Sequence, residues 1–312
     1  MSKEEINLEC KLLCASAAAA GIKTGGIYNS HKIPEKNRKQ FKSVGYIGDV
    51  FSVVGGVEEI EAALVGKTET ELIISFRGTL PPAPTIPSFL DWMQDLLAVP
   101  IKNKHLTGKV HCGFLIAFLL LEKGILDAIS KLDPESKLPI YITGHSKGGG
   151  IAPIAGVYLK NNNGLSIENI ITFAGPNPGD SEFCREYNRM FDSAVRYENY
   201  LDIVPLLPPL PEGVDVIKAI PGLPKIIIEL LNEAKSWDYH TVGSLKYINS
   251  HHEIIPLNKI EADAFLPIRL KDIADEAKET GSLKFLGDAH NEDCFFGYMD
   301  GVCKGEVCLK KK

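Results

Sequence analysis

The segment IYITGHSKGGG, Ile140 to Gly150, constrains the fold more than any other part of the chain. An apolar, β-prone run ends at Thr143, and helix-compatible residues follow from Lys147 to Lys160. The change of direction between them has to be sharp. A chain that leaves a strand and enters a helix within one turn must hold the central residue, Ser146, in a sparsely populated backbone region. Side chains on its flanks would collide, and glycine at 144 and 148 removes both collisions. The first N–H groups of the following helix then point towards the serine oxygen and favour negative charge there. The pattern G-x-S-x-G with a strand before it and a helix after it is that of a nucleophile elbow. Pro153 removes one backbone bond from the helix. Five positions with two glycines also occur in ordinary turns, so the pattern has to be judged by what accompanies it.

Around this turn the chain alternates strands and helices. Helix spacing of Ile6, Cys10, Leu13, Cys14 and Ala17 predicts a helix over Glu4–Ala20 that stops at Gly21. YIGDVFSVVGG and IEAALVGKTETELIISFRGT read as strands, with Lys67–Thr70 as the turn of a hairpin. A buried helix is expected over Phe114–Ile129, a strand over Pro139–Thr143, and a strand in NIITFAGP. A helix is expected in SEFCREYNRMF and a strand in AVRYEN. Such alternation predicts an α/β fold with a mostly parallel central sheet and helices on both faces, in one domain over residues 1–312. Two stretches break the alternation. LPPAPTIPSF is rich in proline and leads into LDWMQDLLAV, a short amphipathic helix candidate; residues 80–97 together are expected to form a lid. Residues 205–231 are an apolar insertion punctuated by prolines, expected to form an apolar rim beside the site.

Charge narrows the partners. The net charge is −6 over 312 residues, without long runs of one sign, which disfavours nucleic acid as a partner. No window has the roughly 18 uncharged apolar residues of a membrane span. The first ten residues lack the basic and apolar pattern of a signal peptide, so a cytoplasmic location, or export without a cleaved signal, is expected. Seven cysteines are then read as reduced thiols. No CxxC pair suggests a metal site, and His251, His252 and Glu253 are adjacent residues that rarely point at one ion. No cofactor or metal is expected.

A nucleophilic serine needs an orienting acid, a base and oxyanion donors. In the chain order serine, acid, histidine, Asp202 is the best acid, because it lies just past the strand AVRYEN. Glu198 is the other carboxylate in range. His290, in the late polar segment GDAHNED, is the candidate base. His240 is assigned a structural place within a strand, and His251 and His252 sit at that strand's exit. Thr79 closes LIISFRGT, so its amide can face the same edge.

With those residues collected, the chain resembles the class 3 (fungal-type) lipases of the α/β-hydrolase fold from about Val44 to His290. ISFRGT looks like that family's oxyanion strand end. DWMQDL is similar to its D-W-x-x-D-L segment, KVHCGF to its V-H-x-G-F entry into a helix, and GHSKGG to its elbow. TFAGPNPGDSEF, RYENYLDIVPLLP and DYHTVGSLKYI resemble its next three blocks. The resemblance implies hydrolysis of acylglycerols or related carboxyl esters, and the apolar segments 80–97 and 205–231 add the expectation of a substrate met at a lipid–water interface. It implies a triad of Ser146, Asp202 and His290 and an oxyanion hole from the amides of Thr79 and Lys147. The family's leucine after the serine is Lys147 here, which leaves the amide intact. The H-x-x-Y/F context of the family's histidine is loosely kept, with Phe295, Phe296 and Tyr298 following His290. A phospholipase A1 or an acyltransferase would use the same triad, and a catalytically silent lipid-binding or interaction protein could keep the fold.

Overall fold

A computed structural model describes residues 6–22, 26–28, 35–79, 96–221, 223–291 and 297–304. Among them the strands are β1 (Gly26–Tyr28), β2 (Ile47–Gly55), β3 (Glu61–Lys67), β4 (Leu72–Phe76), β5 (Pro100–Lys102), β6 (Lys109–His111), β7 (Ile140–His145), β8 (Ile167–Phe173), β9 (Gly179–Asp180), β10 (Val195–Asn199), β11 (Tyr239–His240), β12 (Ser244–Ile248) and β13 (Ile254–Leu257). Nine of them form one sheet in the order β1-β2-β3-β4-β7-β8-β10-β12-β13. Its centre, β4 to β12, is parallel throughout. Antiparallel strands flank that centre, among them the β3–β4 hairpin expected from its polar turn. Four short strands, β11-β9-β6-β5, make a second, antiparallel sheet.

The central strands are apolar on both faces because helices cover both. Along β4, Leu72, Ile74 and Phe76 join the core under the helices Cys112–Leu132 and Lys147–Asn163. Ile73 points the other way and packs with Ile171, Phe173, Tyr197 and Ile248 beneath the helix Leu8–Ala20. That alternation follows from the two-residue period of a strand. Asn7 caps the N-terminal helix by accepting from the Cys10 amide at 2.7 Å, so the helix starts at Leu8; Glu4 and Glu5, where its start was expected, lie outside the described residues.

Several expectations are corrected. The helix read as buried over Phe114–Ile129 runs Cys112–Leu132 and keeps one apolar face in solvent, with Ile116, Leu119 and Leu120 exposed. DYHTVGSLKYI is not one strand: Gly243, at φ 71°, breaks it into β11 and β12, so His240 lies in the small sheet beside Asp238, at 3.0 Å, and not inside the main one. The apolar insertion 205–231 turns inward. Leu206, Leu207, Leu210, Val214, Ile217, Ile220, Ile227 and Leu231 are all buried, in a short turn and the helices Val214–Lys218 and Lys225–Ala234, where a rim of exposed side chains was expected. Of the expected lid over 80–97, residues 80–95 lie outside the described residues, and Leu96 and Leu97 are buried. The thiols are not all reduced: Cys10 and Cys303 form a disulfide with a Cα–Cα separation of 5.0 Å, across 293 residues of chain. Spacing could not reveal it, because a pairing between the two ends of a chain leaves no local pattern.

Candidate active site

Ser146 sits where β7 becomes a helix, with φ 58° and ψ −133°. The glycines around it are required by close approach. A Cβ at Gly144 would lie 2.3 Å from the Gly148 backbone, and one at Gly148 would lie 2.2 Å from the Phe76 carbonyl oxygen. The turn is tied to the sheet by the Ser146 amide, which donates to Phe173 at 3.0 Å, and the helix begins with Gly149 N–H donating back to the Ser146 carbonyl at 2.8 Å. Pro153 is accommodated within that helix. Gly78 lies over the serine: a Cβ there would be 3.2 Å from Ser146 Cβ and 3.8 Å from Oγ. Thr79, exposed, therefore follows directly on a residue packed against the serine. Lys147, the first residue of the helix, offers an amide with no intrahelical acceptor.

Asp202 is fully buried at the end of the loop after β10. Its carboxylate accepts from His290 Nδ1 at 3.0 and 3.1 Å, from the Val204 amide at 3.0 Å and from the Tyr298 hydroxyl at 2.5 Å. The phenol also accepts from the Asn199 amide at 3.1 Å. Burial, and then the Asp202 carboxylate, holds Tyr298 well above the usual tyrosine range, so it remains a donor. Glu198, the other carboxylate considered, faces away and is bound by Arg196 at 2.7 Å and by Arg269. Burial raises its pKa, but the two guanidiniums more than offset that and leave it below the ordinary value.

His290 ends the helix Lys284–His290. Two side chains from the sheet fix this end. Asn199 Nδ2 donates to the Ala289 carbonyl at 2.9 Å, and His145 Nε2 donates to the His290 carbonyl at 2.9 Å. The two imidazoles lie 4.8 Å apart, so His290 is held against the residue immediately before the serine. Burial, reinforced by His290, holds His145 well below the usual histidine range, which keeps it neutral. His251, His252 and Glu253 lie elsewhere: Asn249 organises the turn that carries His251 and Glu253, and His252 faces Asp300 at 3.4 Å. Of the cysteines, Cys10, Cys14 and Cys303 bring their sulfurs within 4.8 Å of one another, but two of the three are the disulfide.

The structure thus brings together Ser146, Asp202, His290, Gly78–Thr79 and Lys147 at the carboxyl ends of β4, β7 and β10. Sequence reasoning did not assign His145 and Asn199, although Asn199 stands in the RYENYLDIVP block, and it noted Tyr298 only as an aromatic after the histidine.

A parallel-centred sheet covered on both faces, with a serine at positive φ in a strand-to-helix turn, defines the α/β-hydrolase fold. The solved structure of a Rhizomucor miehei lipase in a propeptide complex superposes with a TM-score of 0.55 at 20% identity, covering 80% of this chain and 69% of that one. Residues 73–212 match the family Lipase (class 3). Lipase A of Sodiomyces alcalophilus is 26% identical over 170 residues, covering 46% of this chain and 41% of that protein. A secreted mono- and diacylglycerol lipase of Fusarium solani is 29% identical over 167 residues, covering 53% and 47%. The family match covers 140 of the 312 residues, and over that segment the chain is similar to class 3 lipases. Each match spans less than half the length of these two relatives.

Proposed function

We propose that the protein hydrolyses carboxyl esters, with acylglycerols as the substrate class, through a serine acyl-enzyme. The observation that carries this reading is the pair of buried Asp202 and half-buried His290, 3.0 Å apart, with His290 pinned by His145 beside the elbow. Ser146 Oγ attacks the acyl carbonyl and His290 takes its proton. Asp202 holds the imidazole in orientation and stabilises the imidazolium. The amides of Thr79 and Lys147 receive the charge that develops on the carbonyl oxygen. The names of the Sodiomyces and Fusarium relatives support lipids as the substrate class.

An exposed apolar patch supports work at a lipid surface. Val57 and Ile60 are 85% and 64% exposed, and Ile116, Leu119 and Leu120 continue the patch on the neighbouring helix. Ile60 and Leu120 meet across Gly56, where a Cβ would lie 3.3 and 3.4 Å from them. An apolar patch rimmed by charge is costly in water and suits a lipid interface. No helix among the described residues is long and apolar enough to cross a membrane.

A p-nitrophenyl ester series of increasing chain length, run beside emulsified triacylglycerol and dispersed phospholipid, tests the reading. The wild type should turn over long-chain esters faster once they pass their solubility limit. Ser146→Ala should lose on the order of 10⁶ in kcat. Hydrolysis of phospholipid alone would replace acylglycerol as the substrate class. Retention of more than about one percent of activity in Ser146→Ala, against that magnitude, would remove the serine mechanism.

A further inference from the structure

The residue after the serine carries a side chain that the triad does not use. Lys147 Nζ bonds Glu61 Oε1 at 2.6 Å, and both side chains are largely shielded, 22% and 13% exposed. Glu61 is the first residue of β3. Its two neighbours hold the other half of the oxyanion site. The Arg77 amide donates to the Ala62 carbonyl at 3.0 Å, and the Arg77 guanidinium donates to the Ile60 carbonyl at 2.5 Å and to the Ile22 carbonyl. Arg77 leads directly into Gly78, which packs on the serine, and Thr79. Three consecutive residues, Ile60, Glu61 and Ala62, are thus bound to Lys147, which carries one expected oxyanion donor, and to Arg77, two residues before Thr79, which carries the other.

We propose that Glu61 is a positioning residue for the oxyanion hole, acting through Lys147 to hold the first turn of the elbow helix at a fixed distance from the Gly78–Thr79 loop. This rests on the ester hydrolase reading given above. The physical reason is preorganisation. Two amides stabilise a developing oxyanion only if both already point at one place, because reorienting them during the reaction would consume the gain. The Thr79 side is fastened to β3 through backbone and guanidinium bonds. The Lys147 side is fastened to the same strand through an ion pair whose shielding keeps it from being worth as little as a surface pair. A leucine in place of Lys147 could not make this link.

The effect belongs to the transition state, so it should appear in kcat and not in KM. Removing an oxyanion donor outright costs 10² to 10³ in rate, and loosening one should cost less, roughly tenfold. Glu61→Met and Lys147→Met each cut the link while leaving the Lys147 amide in place. On the ester that the wild type hydrolyses best, each should lower kcat roughly tenfold at unchanged KM. The double variant should be scarcely worse than either, because the two act as a unit. Glu61→Asp, which keeps the charge on a shorter arm, should fall between Glu61→Met and the wild type. Affinity for a trifluoromethyl ketone, whose adduct places an oxyanion in the hole, should fall by the same factor as kcat. Thermal melts of each variant separate misfolding from misalignment. Variants that melt lower but keep kcat and ketone affinity would show a purely structural ion pair and overturn the proposal. A folded Glu61→Met with wild-type kinetics would overturn it too. A wild type that hydrolyses no ester would instead overturn the reading on which the proposal rests.

Discussion

At position 146 the backbone is left-handed, a conformation that costs a residue with a side chain on the order of 1–3 kcal/mol and persists only where its surroundings impose it. Here the Gly144 and Gly148 contacts impose it. Ser146, Asp202, His290 and Thr79 could be singled out in the sequence because each stands in a local pattern: a glycine-flanked turn, the exit of a strand, a late polar segment, the end of a strand. Glu61, His145, Asn199 and Tyr298 could not, because their partners are 86, 145, 90 and 96 residues away. No local spacing encodes such contacts. His111 is a similar case and carries a prediction. It is completely buried, accepts from the Phe114 amide through Nδ1 at 3.3 Å, and donates through Nε2 to the Leu96 carbonyl at 3.1 Å. Accepting through Nδ1 needs the neutral ring. Burial chiefly, against the pull of the Leu96 carbonyl and helped by Lys147, lowers its pKa to about 4. The unfolded chain takes up this proton below the ordinary 6.5, and the folded protein does not until about 4. Stability is therefore fully present above 6.5 and falls as pH drops towards 4, by about 3 kcal/mol from this group. Urea unfolding at pH 7 and pH 4.5 should show the loss, and His111→Asn, which can still cap the helix, should flatten it. An unchanged pH slope in that variant would contradict the assignment.

At the scale of elements, the two ends of the described chain meet. The helix Leu8–Ala20 lies across the sheet, and the short helix Tyr298–Cys303 packs beside it, joined by the Cys10–Cys303 bond. That short helix begins with Tyr298, the donor to Asp202, so the disulfide also anchors the carrier of a contact to the acid. A bond closing a loop of 293 residues restricts the unfolded chain strongly, and such bonds are typically worth 2–4 kcal/mol. Reduction with a dithiol should expose two further thiols and lower the melting temperature by about 5 °C or more. An unchanged melting temperature after those two thiols appear would show that the bond is dispensable. The helices and central strands were legible because their apolar periods are long. Short elements were not: β5, β6, β9 and β11 are two or three residues each, too few for a period to register. The helix after β6 was misjudged because apolar content alone does not say which face meets the sheet.

At the scale of the molecule, parallel strands aligned at one edge convert distant sequence segments into neighbours, so that residues after β4, β7 and β10 and at the end of a late helix share one place. The alternation of strands and helices made this arrangement readable, and it explains why a single turn at Ser146 could organise the reading of the whole chain. The proposed mechanism makes Ser146 a nucleophile activated by the His290–Asp202 pair. Labelling with a fluorophosphonate, followed by intact-protein and peptide mass spectrometry, tests it most directly, because the reagent needs an activated serine and no knowledge of the natural substrate. The wild type should gain one adduct, on Ser146. Ser146→Ala should gain none, and Asp202→Asn should react slower by roughly 10⁴, the loss seen when the orienting carboxylate of such a triad is removed. A wild type that stays unlabelled, or a Ser146→Ala protein labelled at the wild-type rate, would contradict the claim.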